Sequence, residues 1–179
     1  MKNESPFPCR ILILKSLVIQ SIFLLLHYTY DFFPGKLSAI FSGINESMFQ
    51  HLKIAFFSIS LTNILEFFYT KNKINRTHFI SVRVFSTVLY PWIIFLLFYI
   101  PPAIIGKFSV MWVEIVVANL ILFISSMYII VVENEFLKIS LSNRFKIMTV
   151  LLYGISAFLY IHFTFHAPWF DVFSIPPGW

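Results

Sequence analysis

Five long apolar segments decide what this chain can fold into. They cover residues 11–33, 51–70, 80–100, 108–132 and 147–165. Each is about 20 residues long, the length that a helix needs to cross the hydrocarbon core of a bilayer. Only short polar or proline-containing connections separate them. The pattern predicts an all-α integral membrane protein, a bundle of about five transmembrane helices that forms a single domain over residues 1–179.

The composition excludes a soluble domain. Hydrophobic residues make up 59% of the chain and charged residues 12%, and the mean hydropathy is +0.84. Soluble domains carry roughly 25% charged residues. The single cysteine, Cys9, excludes an internal disulfide framework. The net charge of +5 does not indicate a nucleic-acid partner, because no basic stripe or RNA-binding motif accompanies it. The expected partner is the lipid bilayer itself.

The segment from residue 34 to residue 50 is the longest connection on the predicted outer side. Pro34 and Gly35 are expected to end the first helix. The apolar patch at residues 37–41 predicts a short helix that lies on the membrane surface or re-enters the membrane. Asn45 is expected to cap the second helix, which places Glu46 in the first turn of that helix.

The distribution of Lys and Arg predicts the orientation. Cytoplasmic loops of membrane proteins are enriched in these residues. With the N-terminus in the cytoplasm, ten of the 13 Lys and Arg fall on the cytoplasmic side, and only Lys36, Lys53 and Lys107 fall outside. We therefore expect a multi-pass protein of the plasma membrane with a cytoplasmic N-terminus and an outer C-terminus.

Polar residues converge near the outer face in this topology. Ionisable groups are costly in hydrocarbon, so each one at membrane depth is a candidate functional residue. Four of the five histidines and several carboxylates lie in this layer: His27, Asp31, Glu46, His51, Glu114, His162 and His166. The fifth histidine, His78, is expected at the cytoplasmic end of the third span. Glu66 lies near the inner end of the second span and is expected to pair with Arg83 or with loop lysines.

The pair His162 and His166 is the sharpest element of this layer. Two histidines four residues apart on a helix can bind one metal ion, zinc being the typical case. We expect His51 to be the third ligand. Glu46, Asp31 and Glu114 are the candidate catalytic carboxylates, and the candidate ligand-binding residues are His27, Asn45 and Lys53. Two other interpretations remain open: a hydrogen-bonded cluster without metal, and histidines placed at the membrane interface.

Two motifs resemble an uncharacterised family of small bacterial membrane proteins. The stretch from Asn45 to Lys53 resembles its Asn-Glu-Ser-x-Trp-Glu-His-Leu-Lys signature, with Phe49 in place of Trp and Gln50 in place of Glu. Residues 163–168 resemble its C-terminal Phe-Thr-Phe-x-Pro-Pro signature, with Ala167 in place of Pro, and His27 also fits the family. The resemblance implies the fold, a bacterial inner membrane and the location of a site, but no reaction.

Three functions are compatible with the sequence. The first is a metal-dependent intramembrane hydrolase that acts on a lipid or small amphiphile. The second is a small transporter, channel or ligand-binding protein that uses the same cluster as a proton or ligand site and would need to form an oligomer. The third is an accessory subunit in which the polar cluster only holds the helices together.

Overall fold

A computed structural model describes residues 9–69, 75–106, 108 and 110–175, and within them the fold is helical. The five long helices and two short ones run in this order: α1 (Cys9–Phe32), α2 (Lys36–Phe41), α3 (Met48–Tyr69), α4 (Arg76–Ile105), α5 (Met111–Lys138), α6 (Asn143–Phe165) and a 3₁₀ turn, η1 (Asp171–Phe173). All helices except α2 and η1 are long and apolar enough to cross a membrane. The predicted all-α multi-pass architecture is confirmed.

Successive long helices run antiparallel, which gives the bundle two ends. We call the end where α1 begins the proximal end and the end where α1 finishes the distal end. Lys15 near the start of α1 contacts Glu66 near the end of α3, and His27 near the end of α1 contacts His51 near the start of α3. The core lies among α1, α3, α4 and α5, and includes Ile19, Phe23, Ala55, Tyr90 and Ile129.

Helix α3 is the central helix and α6 is the peripheral one. Half of the most apolar window of α3 is buried, compared with 11% of that of α6. A helix that is apolar on all sides fits either a protein core or a lipid environment. The bundle therefore places α3 inside and leaves one long side of α6 free to face lipid.

The structure corrects two predicted helix ends. The third span was expected to stop at Pro101 and Pro102, but α4 continues to Ile105 and ends at Gly106, whose φ of 80° is readily adopted only by glycine. The fourth span was expected to stop before Glu133, but α5 continues to Lys138. Glu133 remains helical and buried because it is neutralised inside the bundle, as described below.

The connection between α1 and α3 contains the expected short helix and one departure. Helix α1 ends at Phe32, before Pro34, and α2 forms over the predicted apolar patch and packs on α1, α3 and α6. Asn45 does not cap α3 directly. Its side-chain Oδ1 accepts a hydrogen bond from the backbone N–H of Ser47 at 3.0 Å, and α3 begins one residue later. Glu46 therefore lies in the turn that precedes the helix, where its side chain can reach α1.

Candidate metal centre

Three potential metal ligands meet at the distal end of the bundle. The Nε2 atoms of His27 on α1 and His51 on α3 lie 3.2 Å apart. A carboxylate oxygen of Glu46, from the turn before α3, lies 3.5 Å from Nε2 of His27 and 3.4 Å from Nε2 of His51. All three side chains are partly buried. Three ligand atoms, one from each of these residues, therefore lie close to one another.

The spacing of these three atoms matches the geometry of a tetrahedral metal site. With metal–ligand bonds of about 2.0–2.1 Å, neighbouring ligand atoms in a tetrahedral site lie roughly 3.3–3.4 Å apart. The three observed separations are 3.2, 3.4 and 3.5 Å. Two histidines and one glutamate also form the ligand set of several catalytic zinc sites, in which the fourth position is left to water or substrate. Chemistry and geometry therefore agree for this group, which we call the His27–Glu46–His51 triad.

The second ring nitrogen of His51 is held by the backbone. Nδ1 of His51 lies 2.9 Å from the carbonyl oxygen of Ser47, one helical turn earlier. Because a carbonyl can only accept, Nδ1 carries the proton, and the lone pair of Nε2 points towards the triad. Nδ1 of His27 is buried without a hydrogen-bond partner among the described residues. The orientation of His51 is thus fixed more firmly than that of His27.

The charge of the triad resides on Glu46. When Nε2 of His27 and of His51 is protonated as well, the hydrogen bonds that the two rings donate and their positive charge hold the pKa of the Glu46 carboxyl well below its usual range, despite its partial burial. The carboxylate therefore stays ionised under all physiological conditions. An ionised carboxylate between two imidazoles attracts a cation to the point where the three ligand atoms meet.

A cavity of about 290 Å³ opens beside the triad, between α1, α4 and α5. Its walls are largely apolar and include Phe23, Ile94, Phe98 and Leu122. Its polar groups include the triad, Tyr28, Glu114 from the first turn of α5, and Asn119, whose side chain accepts a hydrogen bond from Gln20 at 3.2 Å. An apolar cavity with a few polar groups is typical of a site for a small ligand.

His162 and His166 lie apart from the triad. Their rings stack with centroids 4.8 Å apart at the exposed distal end of α6. Phe49 on α3 packs against Phe163 of the same segment. Side chains two residues apart on a helix point in nearly opposite directions, so His51 faces α1 while Phe49 faces α6. Among the described residues, no third ligand joins His162 and His166 in a group that could hold a metal.

The remaining predicted site residues have separate positions. Lys53 is fully buried and donates hydrogen bonds to the Ala39 carbonyl and the Thr164 hydroxyl, away from the cavity. Asn45 shapes the turn that carries Glu46. Asp31 is exposed near the end of α1 and does not line the cavity, whereas Glu114 does.

A second polar cluster lies at the proximal end. The sequence predicted only one of its contacts. Lys15 Nζ lies 2.6 Å from a carboxylate oxygen of Glu66 and 2.6 Å from one of Glu133. Arg83 reaches the same two carboxylates at 2.6 and 2.5 Å. We call these four residues the charge network. It joins α1, α3, α4 and α5, and its formal charges cancel. The expected pairing of Glu66 with Arg83 is confirmed.

A signal for the charge network was present in the sequence. The orientation argument includes Lys15 among the cytoplasmic charges, and the predicted fourth span stops before Glu133. Placing two cations and two anions at the same depth on four antiparallel helices would have suggested mutual neutralisation, because isolated charges at that depth are costly. The burial of Glu133, which is 0% exposed, follows from that neutralisation.

No known family, curated protein or solved structure matches this chain.

Proposed function

We propose that this multi-pass membrane protein is a metal-dependent hydrolase whose metal, zinc or a similar divalent ion, is held by the His27–Glu46–His51 triad. The observation that carries the proposal is the separation of the three ligand atoms, 3.2, 3.4 and 3.5 Å, which matches a tetrahedral site. The proposal also agrees with the resemblance expected from the sequence, since His27 and the stretch from Asn45 to Lys53 include all three proposed ligands.

The chemistry divides between the ion and the side chains of the cavity. A bound divalent ion supplies a Lewis acid that makes water more acidic and polarises an ester or amide carbonyl. Glu114 takes the proton from the attacking water and passes it to the leaving alcohol or amine. The water oxygen forms a bond to the acyl carbon, and the bond to the leaving group breaks. The products are a carboxylic acid and an alcohol or amine.

The shape of the cavity supports a lipid or small amphiphile as the substrate. The apolar walls formed by Phe23, Ile94, Phe98 and Leu122 suit an alkyl chain, and the triad and Glu114 lie where a polar head would be placed. The cavity lies within the bundle rather than in a soluble domain, so a substrate can come from the surrounding bilayer.

The orientation belongs to the same proposal. Among the described Lys and Arg that are not buried, Arg10, Arg76, Lys138, Arg144 and Lys146 lie at the proximal end and Lys36 lies at the distal end. By the positive-inside rule, this distribution supports a cytoplasmic proximal end, with the triad at the outer leaflet of the plasma membrane.

Metal content tests the proposal directly. The protein is purified in mild detergent without a histidine tag, and zinc and other transition metals are quantified by inductively coupled plasma mass spectrometry. We expect about one ion per chain. The variants His51→Ala and Glu46→Gln should lose most of it. The double variant His162→Ala, His166→Ala is the matched control, because it removes two exposed histidines from the same end and should retain the metal.

Each alternative outcome has a meaning. Loss of metal from the His162→Ala, His166→Ala variant, with retention in His51→Ala, would overturn the triad as the metal centre. A folded wild-type protein without metal would overturn the hydrolase. The triad would then be better explained as a proton or ligand site of a small transporter. A wild type that binds no metal, together with triad variants that lose thermal stability, would favour a structural role.

A further inference from the structure

Lys53 makes contacts that are unusual for a lysine. It is 0% exposed, and its ammonium group donates hydrogen bonds to the Ala39 carbonyl at 2.7 Å and to the Thr164 hydroxyl at 3.0 Å. Both acceptors are neutral. A buried ammonium group that has no carboxylate partner among the described residues carries a large desolvation penalty, so a merely space-filling position would be better served by Leu or Met.

The contact with Ala39 fixes the start of the segment that carries Glu46. Ala39 belongs to α2, and seven residues later the chain reaches Glu46. Lys53 belongs to the second turn of α3, the helix that carries His51. The hydrogen bond from Lys53 to Ala39 therefore ties α2 to the same rigid helix that positions one ligand of the triad.

Gly43 fixes the middle of that segment. A Cβ atom added at Gly43 would lie 3.0 Å from Cδ1 of Ile54, closer than nearly all real contacts of this kind. Ile54 is buried on α3, next to Lys53. The absence of a side chain at Gly43 thus allows the backbone of the segment to lie directly against α3, between the Lys53 contact and Glu46.

We infer that Lys53 and Gly43 are positioning residues of the metal centre: they hold the Ala39–Glu46 segment against α3 so that the Glu46 carboxylate reaches the two imidazoles. The inference rests on the proposed metal-binding function. Residues that orient metal ligands without touching the ion typically change metal affinity by 10–100-fold when they are altered.

The first test compares two substitutions at the hydrogen bonds of Lys53. Lys53→Met removes both hydrogen bonds, to Ala39 and to Thr164, while Thr164→Val removes only the one to α6. Zinc affinity is measured by competition with a chromophoric chelator, and thermal unfolding is measured alongside. We expect Lys53→Met to weaken zinc binding by about 10-fold or more, and Thr164→Val to leave it within about 3-fold of the wild type.

The second test does not depend on the Lys53 variant folding. Gly43→Ala should weaken zinc binding because the new methyl group displaces the segment from Ile54. Ile54→Val removes the Cδ1 atom that the methyl group would meet, and by itself should leave affinity unchanged. The double variant should recover the wild-type affinity. The visible absorption of cobalt bound in place of zinc should change in Gly43→Ala and return in the double variant.

The outcomes separate this inference from the proposed function. A wild type that binds neither zinc nor cobalt overturns both. A wild type that binds zinc, with Lys53→Met and Gly43→Ala binding equally well, overturns the positioning role alone. The same holds if affinity and thermal stability fall together in every variant and the Ile54→Val change restores neither, because that pattern describes general loosening of the fold.

Discussion

At the scale of single residues, the charge network is the feature whose residues depend most on one another. Glu133 is 0% exposed and contacts Lys15, Arg83 and the hydroxyl of Ser86. The two cations and two anions of the network balance one another, but each becomes expensive once a partner is removed. The network therefore fixes the relative positions of four helices without needing to add much stability of its own.

Substitution of Glu133 by Gln is expected to destabilise the protein strongly. Lys15 and Arg83 would then share only the charge of Glu66, and one buried cation would remain unbalanced. Breaking a buried ion pair in this way costs about 3–5 kcal/mol. Thermal unfolding in detergent, followed by intrinsic tryptophan fluorescence, measures the effect. Glu135→Gln is the control: Glu135 is 62% exposed and pairs with Lys138 on the surface, so stability should change by less than about 0.5 kcal/mol.

A second substitution should rescue the first. Lys15→Met added to Glu133→Gln removes one cation with the one anion, which leaves Arg83 paired with Glu66 at 2.6 Å. We expect the double variant to be more stable than either single variant, since neither retains a balanced network. Additive destabilisation of the two changes would show that charge balance is not what the network provides.

At the scale of helices, α3 organises the distal end because its two faces contact different parts of the chain. One face presents His51 to α1, and the opposite face presents Phe49 and Lys53 to α6, α2 and the C-terminal turn. Phe173 of η1 stacks on Phe49 with ring centroids 4.4 Å apart and also meets Phe163. The C-terminal segment is thereby folded back over the start of α3.

Removal of this aromatic contact should release the C-terminal segment. Phe173→Ala eliminates the stacking with Phe49, and aromatic pairs of this kind contribute about 0.5–1.5 kcal/mol beyond their burial. We expect faster cleavage of residues 166–175 by a non-specific protease, seen by mass spectrometry of the released peptide. Trp169→Ala is the control, because Trp169 is 88% exposed. Equal cleavage of the two variants would show that η1 does not hold the segment.

The sequence predicted the five long helices better than it predicted where they end or which side of each helix faces its neighbours. Hydropathy alone identified the five long helices, because lipid requires an apolar surface on every side. It placed the end of α5 too early, since a carboxylate such as Glu133 is typical of a loop unless it has partners on other helices. Hydropathy also assigned His51 and His162 to one layer correctly, but it carries no information on which side of a helix faces which neighbour.

At the scale of the whole molecule, five crossings place the two ends of the bundle on opposite sides of a membrane. Lys36 and Asn143 are exposed at the distal and proximal ends respectively. In a background that lacks Cys9, cysteines introduced singly at these positions should react with a membrane-impermeant maleimide from opposite sides of sealed cells or inverted vesicles. Our proposed orientation expects residue 36 to be labelled in intact cells. Labelling of both positions from the same side would contradict the five-span topology.

The site followed from the sequence only in part. Glu46, His51 and His27 were all singled out, because polar residues at membrane depth are few. The predicted metal ligands were His162, His166 and His51, since spacing within one helix is visible in a sequence, whereas the structure groups His51 with His27 and Glu46. The contact between His27 and His51 joins residues 24 positions apart on separate helices, and Glu46 joins them only because the turn at Asn45 lies outside the helix.

The charge network also has a consequence for biosynthesis. Glu133 follows Lys15 by 118 positions in the chain. At about 5–20 residues per second, a ribosome needs roughly 6–24 s to reach it. Until α5 enters the membrane, the charge network has two cations, Lys15 and Arg83, and one anion, Glu66. The charges of the network are therefore balanced only after the fourth long helix, α5, has been inserted. We expect a chain truncated after α4 to be degraded faster than the full-length protein.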